Sequence, residues 1–196
     1  MGLQLVASRV LAPFFGNSIL VWASLITTFL AAFSVGSFIG ASISSKPLAT
    51  QKKAVGGLMS ICCVTLLIDS LACYQLCDWM DLHIVNLLIK LIGSCLLLYF
   101  IPVATLSTLT PVCIGYYDRV GRSAGRSAGL LNGVSTLGNI VGVLTAALLL
   151  IPTFGIHSLL QVWWISAVIF QTSLWFVLFS HSARSSLPVP ASASGR

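Results

Sequence analysis

The sequence predicts an all-α polytopic membrane bundle of five to six transmembrane helices, the first of them partial. Three observations carry that reading. Of 196 residues, 57% are hydrophobic and only 7% charged, against about 25% charged in a soluble domain. The apolar residues gather into runs long enough to cross a bilayer, which takes about 20 residues of helix. The basic residues fall on alternate connections between those runs. A chain of this composition cannot cover its own surface with polar groups, so its solvent is lipid.

Each run is justified in turn. Met1 to Phe15 is apolar but carries Gln4, Arg9 and Pro13. At about 22 Å of helical rise it is a truncated, tilted or re-entrant span. Asn17 to Ser45 holds no charge, and Ala54 to Cys77 holds only Asp69. Ile84 to Tyr117 is too long for one straight span and is interrupted by Pro102 and Pro111. Ala128 to Ile151 and Ser158 to Ser180 complete the set. The predicted organisation is therefore a bundle over 1–180, followed by a disordered cytoplasmic tail over 181–196. That tail is rich in Ser, Ala and Pro and too poor in apolar residues to bury a core.

Charge placement orients the bundle. Lys46, Lys52 and Lys53 follow the second run, Arg119, Arg122 and Arg126 the fourth helix, and Arg184 and Arg196 the last. The other connections, Gly16 to Ser18, Asp78 to His83 and Pro152 to His157, hold no Lys or Arg. The positive-inside rule places the C-terminus in the cytoplasm, and the net charge of +6 faces lipid headgroups rather than nucleic acid.

Residues 121–142, GRSAGRSAGLLNGVSTLGNIVG, pose the question of a phosphate cradle. Neither G-x-x-x-x-G-K-[ST] nor G-x-G-x-x-G in a βαβ unit occurs here. Gly121, Gly125, Gly129 and Gly133 instead recur every fourth residue, and Gly138 and Gly142 repeat the interval. On a helix this makes a small-residue ridge, with Ser127, Ser135, Thr136 and Asn139 beside it. Such ridges let a neighbouring membrane helix approach closely.

Three stretches carry a resemblance: LVASRVLAPFFGNSILVWASLITTFLAAFSVGSFIGA at 5–41, FIPVATLSTLTP at 100–111, and VGRSAGRSAGLLNGVSTLGNIVGVLTAALLLIPTFG at 120–155. Together they resemble the amino-terminal membrane domain of the fused transporter/spermidine-synthase-like family. That domain opens on E-L-V-x-x-R-L-L-A-P-x-F-G-x-S and closes on L-I-P-x-x-G. Members of the family commonly continue into a Rossmann-like aminopropyltransferase-type domain for decarboxylated S-adenosylmethionine and a polyamine. No such domain is expected after the bundle here, and the family's glutamate is Gln4. The resemblance thus implies a non-enzymatic membrane module without a cofactor, in a bacterial plasma membrane, served by a separate aminopropyltransferase-like or other membrane subunit. A second likeness is more distant. GSFIGASISSKP at 36–47 has the small-residue spacing of a major-facilitator loop, without that loop's aspartate or arginine pair.

Ionisable residues inside spans are costly, and they pair or work. Arg9, Asp69 and Lys90, with Gln4 nearby, form the candidate polar site; helical rise places the three charges about 10–13 Å below the outer connections. Two readings stand: an Asp69–Lys90 pair with Arg9 snorkelling, or an outward-facing pocket for an anion or a proton relay. The six cysteines lie in apolar runs without metal-ligand spacing and read as packing residues, with Cys73 and Cys77 one turn apart. The functional expectation is small-metabolite transport or membrane-side handling. The alternative is a structural or assembly subunit of a larger membrane complex.

The orientation is testable. Single cysteines at Lys52 and Arg122, in a background stripped of native cysteines, should resist an impermeant thiol reagent in intact cells. One at Asp81 should label. Labelling of the first two from outside reverses the orientation.

Overall fold

The computed structural model describes residues 2–119, 124–153 and 155–184, without the side chains at 124, 127, 156, 157 and 174–184. Every described element is helical: α1 Gly2–Phe15, α2 Ile19–Ser44, α3 Leu48–His83, α4 Leu87–Cys95, α5 Ile101–Ser107, α6 Leu109–Arg119, α7 Ala124–Thr145, α8 Ile151–Thr153 and α9 Ile156–Arg184. Two π-helical turns, Leu96–Phe100 and Ala146–Leu150, join α4 to α5 and α7 to α8. Four stretches among the described residues are long and apolar enough to span a bilayer: Ile19–Ser44, Leu48–His83, Leu87–Arg119 and Ala128–Thr153. Leu30, Val64, Leu71, Leu97 and Leu148 all turn more than half of their surface outward, which suits lipid and not water. The chain is an integral membrane protein.

Two boundaries differ from the sequence reading. The expected outer loop Asp78–His83 is the last part of α3, because no Gly or Pro stops the helix before His83. The break falls at 84–86, where the Asn86 side chain accepts hydrogen bonds from the backbone N–H groups of Leu88 and Ile89 and starts α4. At the other end, α9 runs on to Arg184, four residues into the segment read as tail. Residues 185–196 lie outside the described residues.

The short first helix sits in the middle of the bundle. Its apolar positions Leu3, Val6, Ala7, Val10 and Leu11 recur at helical spacing and are buried, four of them completely. They pack into a core shared with Leu25 and Phe29 of α2, Cys73 and Cys77 of α3, Leu91 of α4, Tyr99 in the first π turn and Leu159 of α9.

Each π turn ends two residues before a proline, Phe100 before Pro102 and Leu150 before Pro152. Proline has no N–H for the carbonyl one turn back, and its ring crowds that carbonyl. A one-residue expansion of the helix relieves the conflict without ending the span. Thr105 donates its hydroxyl to the carbonyls of Ile101 and Pro102 at 3.0 and 2.9 Å, adding polar contacts on this turn. The run therefore continues through Pro102 rather than breaking there.

A close helix contact lies at Gly36 and Gly40, one turn apart on α2. A Cβ at Gly40 would sit 2.5 Å from the Thr108 carbonyl oxygen and 2.8 Å from Pro111 Cγ; one at Gly36 would collide with the Ala104 carbonyl and Ser107. Only a bare backbone fits against α5 and α6 at that distance. At Gly125, Gly129, Gly133, Gly138 and Gly142 of α7, an added Cβ would meet nothing within 4 Å. Gly125, Gly129 and Gly133 therefore make no close helix contact among the described residues, while the Gly142 carbonyl lies 3.2 Å from where a Cβ on Gly2 of α1 would stand. The G-x-x-x-G pair that packs backbone to backbone is on α2.

This contrast yields a prediction. Gly36→Leu and Gly40→Leu should each sharply reduce the monodisperse fraction in detergent, since overpacking costs about 1–3 kcal/mol or more. Gly129→Leu should leave that fraction near the parent value. Size-exclusion profiles of the three variants check it, and equal loss in all three overturns the assignment.

Candidate functional site

The three intramembrane charges do not form one site. Lys90 on α4 pairs through Nζ with Asp81 Oδ1 near the end of α3, and its ammonium lies 5.7 Å from the Phe15 ring centroid. Helical side chains lean toward the N-terminus of their helix, and for α4 that is the end beside His83. Lys90 therefore reaches toward Asp81. Asp69 lies 12 residues earlier on α3, about 18 Å along the axis, so the expected Asp69–Lys90 pair is replaced by Asp81–Lys90. Arg9 is on the outward face of α1 and makes no ion pair among the described residues. Gln4 is half-buried on the same helix.

Asp69 is the buried member, 5% exposed, and its Oδ2 has no hydrogen-bond partner among the described residues. Two other fully enclosed polar atoms in this part of the core share that condition: Ser94 Oγ on α4 and the Tyr99 hydroxyl. Tyr99 lies within the first π turn and packs against Phe29 with ring centroids 6.0 Å apart. Unpartnered buried polar groups are rare and costly. Expanded helical turns often mark functional positions.

A cleft of about 410 Å³ opens elsewhere in the bundle. Its walls come from the start of α1, from α2, α3, α5 and α6, and from α7 and α9. The polar groups lining it are Ser107, Thr110, Ser135, Asn139, Ser166 and Trp163, with no charged residue among its described lining. Phe29, Phe33 and Phe170 supply apolar surface. The Trp163 indole nitrogen is enclosed and has no partner among the described residues.

Gly138, Asn139 and Gly142 of the predicted ridge line this cleft. Their small size leaves an open wall, where the sequence suggested a closed helix contact. Gly125, Gly129 and Gly133 do not border it. Gly121 lies outside the described residues.

No protein-family model, curated protein or solved structure matches the chain.

Several of these residues escape a sequence reading. Tyr99 and Ser94 look like ordinary members of an apolar run, and Trp163 looks like an interfacial anchor. The signals that point to them are the Ile-Pro pairs at 101–102 and 151–152, each preceded by a π turn, and the hydroxyl-rich run LSTLT at 106–110. All six cysteines are unbonded, Cys73 and Cys77 included. His83 is held at the end of α3, its Nδ1 2.9 Å from the Trp79 carbonyl and its ring stacked on that indole.

The charges can be separated by stability. Breaking a buried ion pair costs about 3–5 kcal/mol, but Asp69 has no cation partner among the described residues. Asp69→Asn should therefore change unfolding free energy in detergent by less than about 1 kcal/mol, or raise it. Asp81→Asn should cost at most about 1 kcal/mol, because that pair is partly open to solvent. A loss near 3 kcal/mol for Asp69→Asn overturns this assignment and requires a buried cation beside it.

Proposed function

We propose that the chain is a membrane module for transport or membrane-side handling of a small metabolite, as its resemblance to the membrane domain of the fused transporter/spermidine-synthase-like family implies. The observation that carries this reading is the cleft of about 410 Å³ bordered by seven helices. Its volume falls in the range of small-molecule sites, and such sites combine apolar walls with a few convergent polar groups. Hydroxyls and one amide suit an uncharged solute that donates and accepts hydrogen bonds. A polycation would call for carboxylates, and the described lining offers none. The substrate class in this reading is thus neutral and polar, and not a polyamine.

Asp69 and Tyr99 supply the second component. A buried carboxyl group and a buried phenol without partners form a polar locus of the kind that accompanies ion or proton coupling in membrane transporters. The module has no catalytic step of its own in this reading. It sits in a bacterial plasma membrane with its C-terminus in the cytoplasm, and an aminopropyltransferase-like or other subunit would be a separate chain.

A second reading, a structural or assembly subunit, rests on α7. Only 6% of the Ala128–Thr153 window is buried, against 39–44% in the other three spans. A helix that turns nearly all of its surface outward suits docking onto a larger membrane complex.

Uptake into proteoliposomes distinguishes the two. The panel comprises glycerol, a hexose, a primary amide, an organic anion and spermidine. The parent should admit at least one uncharged solute faster than empty liposomes do. Gly138→Leu, at a cleft position where an added Cβ meets nothing within 4 Å, should abolish that flux while keeping the detergent elution profile. No flux for any solute, or flux untouched by Gly138→Leu, leaves the assembly reading.

A further inference from the structure

A second concavity, of about 390 Å³, lies at the end of the bundle that carries the basic residues. Three helices build it, each with one face. From α3 come Leu48, Gln51, Lys52 and Val55, from α6 Leu109, Val112, Cys113, Tyr116 and Tyr117, and from α9 Phe170 and Ser173. The spacings on α3 and α6 are those of single helical stripes. The groove is apolar along its length and polar at one end, where Lys52 and the two tyrosines stand.

Its surroundings are cationic and firmly tied. Lys46 and Lys53 are exposed beside Lys52, and Arg119 donates from Nη2 to the carbonyls of Ser44 and Lys46 at 2.8 and 2.9 Å. The Gln51 side chain, 2% exposed, donates from Nε2 to the Ser44 carbonyl at 2.5 Å. These bonds fix the start of α3 and the end of α6 to the same short turn. The acidic residue among the described positions here is Asp118, so four basic groups face one carboxylate. Apolar volume at membrane depth, ending in a cationic and phenolic rim, has one natural complement. An acyl chain lies along the groove and a negatively charged headgroup meets the rim.

We propose that this groove is a binding site for an anionic diacyl phospholipid, with one acyl chain against Val55, Leu109, Val112 and Phe170 and the phosphate at Lys52 and Tyr116. The site is separate from the cleft, which draws on Leu66, Val103, Ser135 and Asn139; Phe170 alone borders both. It stands whether the chain transports a solute or serves an assembly.

Purified full-length protein in detergent, titrated with phosphatidylglycerol or phosphatidylcholine of identical chains and read by native mass spectrometry, tests this. The parent should retain phosphatidylglycerol about tenfold or more in preference. Lys52→Gln should lower that preference about fivefold, the contribution of one basic group near anionic lipid. Val112→Trp, which fills the groove, should remove the retained lipid. Inorganic phosphate in excess should not displace it, because the chain in the groove holds the lipid. Equal retention of the two lipids overturns the proposal, as does an unchanged preference in Lys52→Gln. Displacement by phosphate reassigns the rim as a simple anion site. Should Val112→Trp fail to fold, the headgroup comparison on the parent and the Lys52→Gln variant still decides.

Discussion

The fold depends on a contact to which one of the helices brings no side chain. Where α2 crosses α5 and α6, Gly36 and Gly40 present bare backbone to the carbonyls of Ala104 and Thr108. In lipid, helices gain little from hiding apolar surface from each other, because the surrounding tails are equally apolar. Close approach, with its dense van der Waals contact, is what remains to hold them. The α2–α5–α6 unit supplies that approach, and the rest of the core is arranged around it. Phe29 of α2 and Tyr99 of the π turn meet within this unit, and α1 fills the space that the longer helices leave.

Much of this was legible in the residues, and the limits have a physical cause. Composition and run length identify a membrane bundle, because lipid imposes one rule on every outward position. Asp69 stands out as costly for the same reason. What the sequence conceals is register between helices. Two glycine ladders exist in the chain, at 36–40 and at 125–142. In the longer and more regular one an added Cβ would meet no neighbour among the described residues, while its far end at Gly138–Gly142 lines a cleft. Lys90 likewise had two carboxylates within plausible reach, and the tilt of side chains toward a helix N-terminus selected Asp81. Loop boundaries failed where polarity misled. Asp78 and Asp81 look like loop residues, yet a helix passes through both until Asn86 caps the next one.

Polar groups in the interior divide into two kinds. Thr105, Ser107 and Thr108 turn their hydroxyls back onto carbonyls of their own helix, which satisfies them locally and makes them neutral to packing. Asp69, Ser94 and Tyr99 each keep a buried atom with no such partner. Members of the second kind lie on α3, on α4 and in the first π turn, and the enclosed indole nitrogen of Trp163 on α9 joins them. The cleft shows a third arrangement. Ser135 and Asn139 stand at its wall, where a solute can complete their hydrogen bonding.

The outward surface of α7 bears on how such a chain can change over generations. At Val134, Leu137, Ile140, Val141, Leu144 and Leu148, more than half of each side chain meets lipid. An exchange of Leu for Ile or Val there alters nothing that the bilayer can distinguish. At Gly36 and Gly40 no other residue fits. Inheritance therefore constrains the molecule through a narrow spine and leaves a broad panel to drift. Two descendants could differ along the whole outer face of α7 and still be superimposable at the α2 crossing.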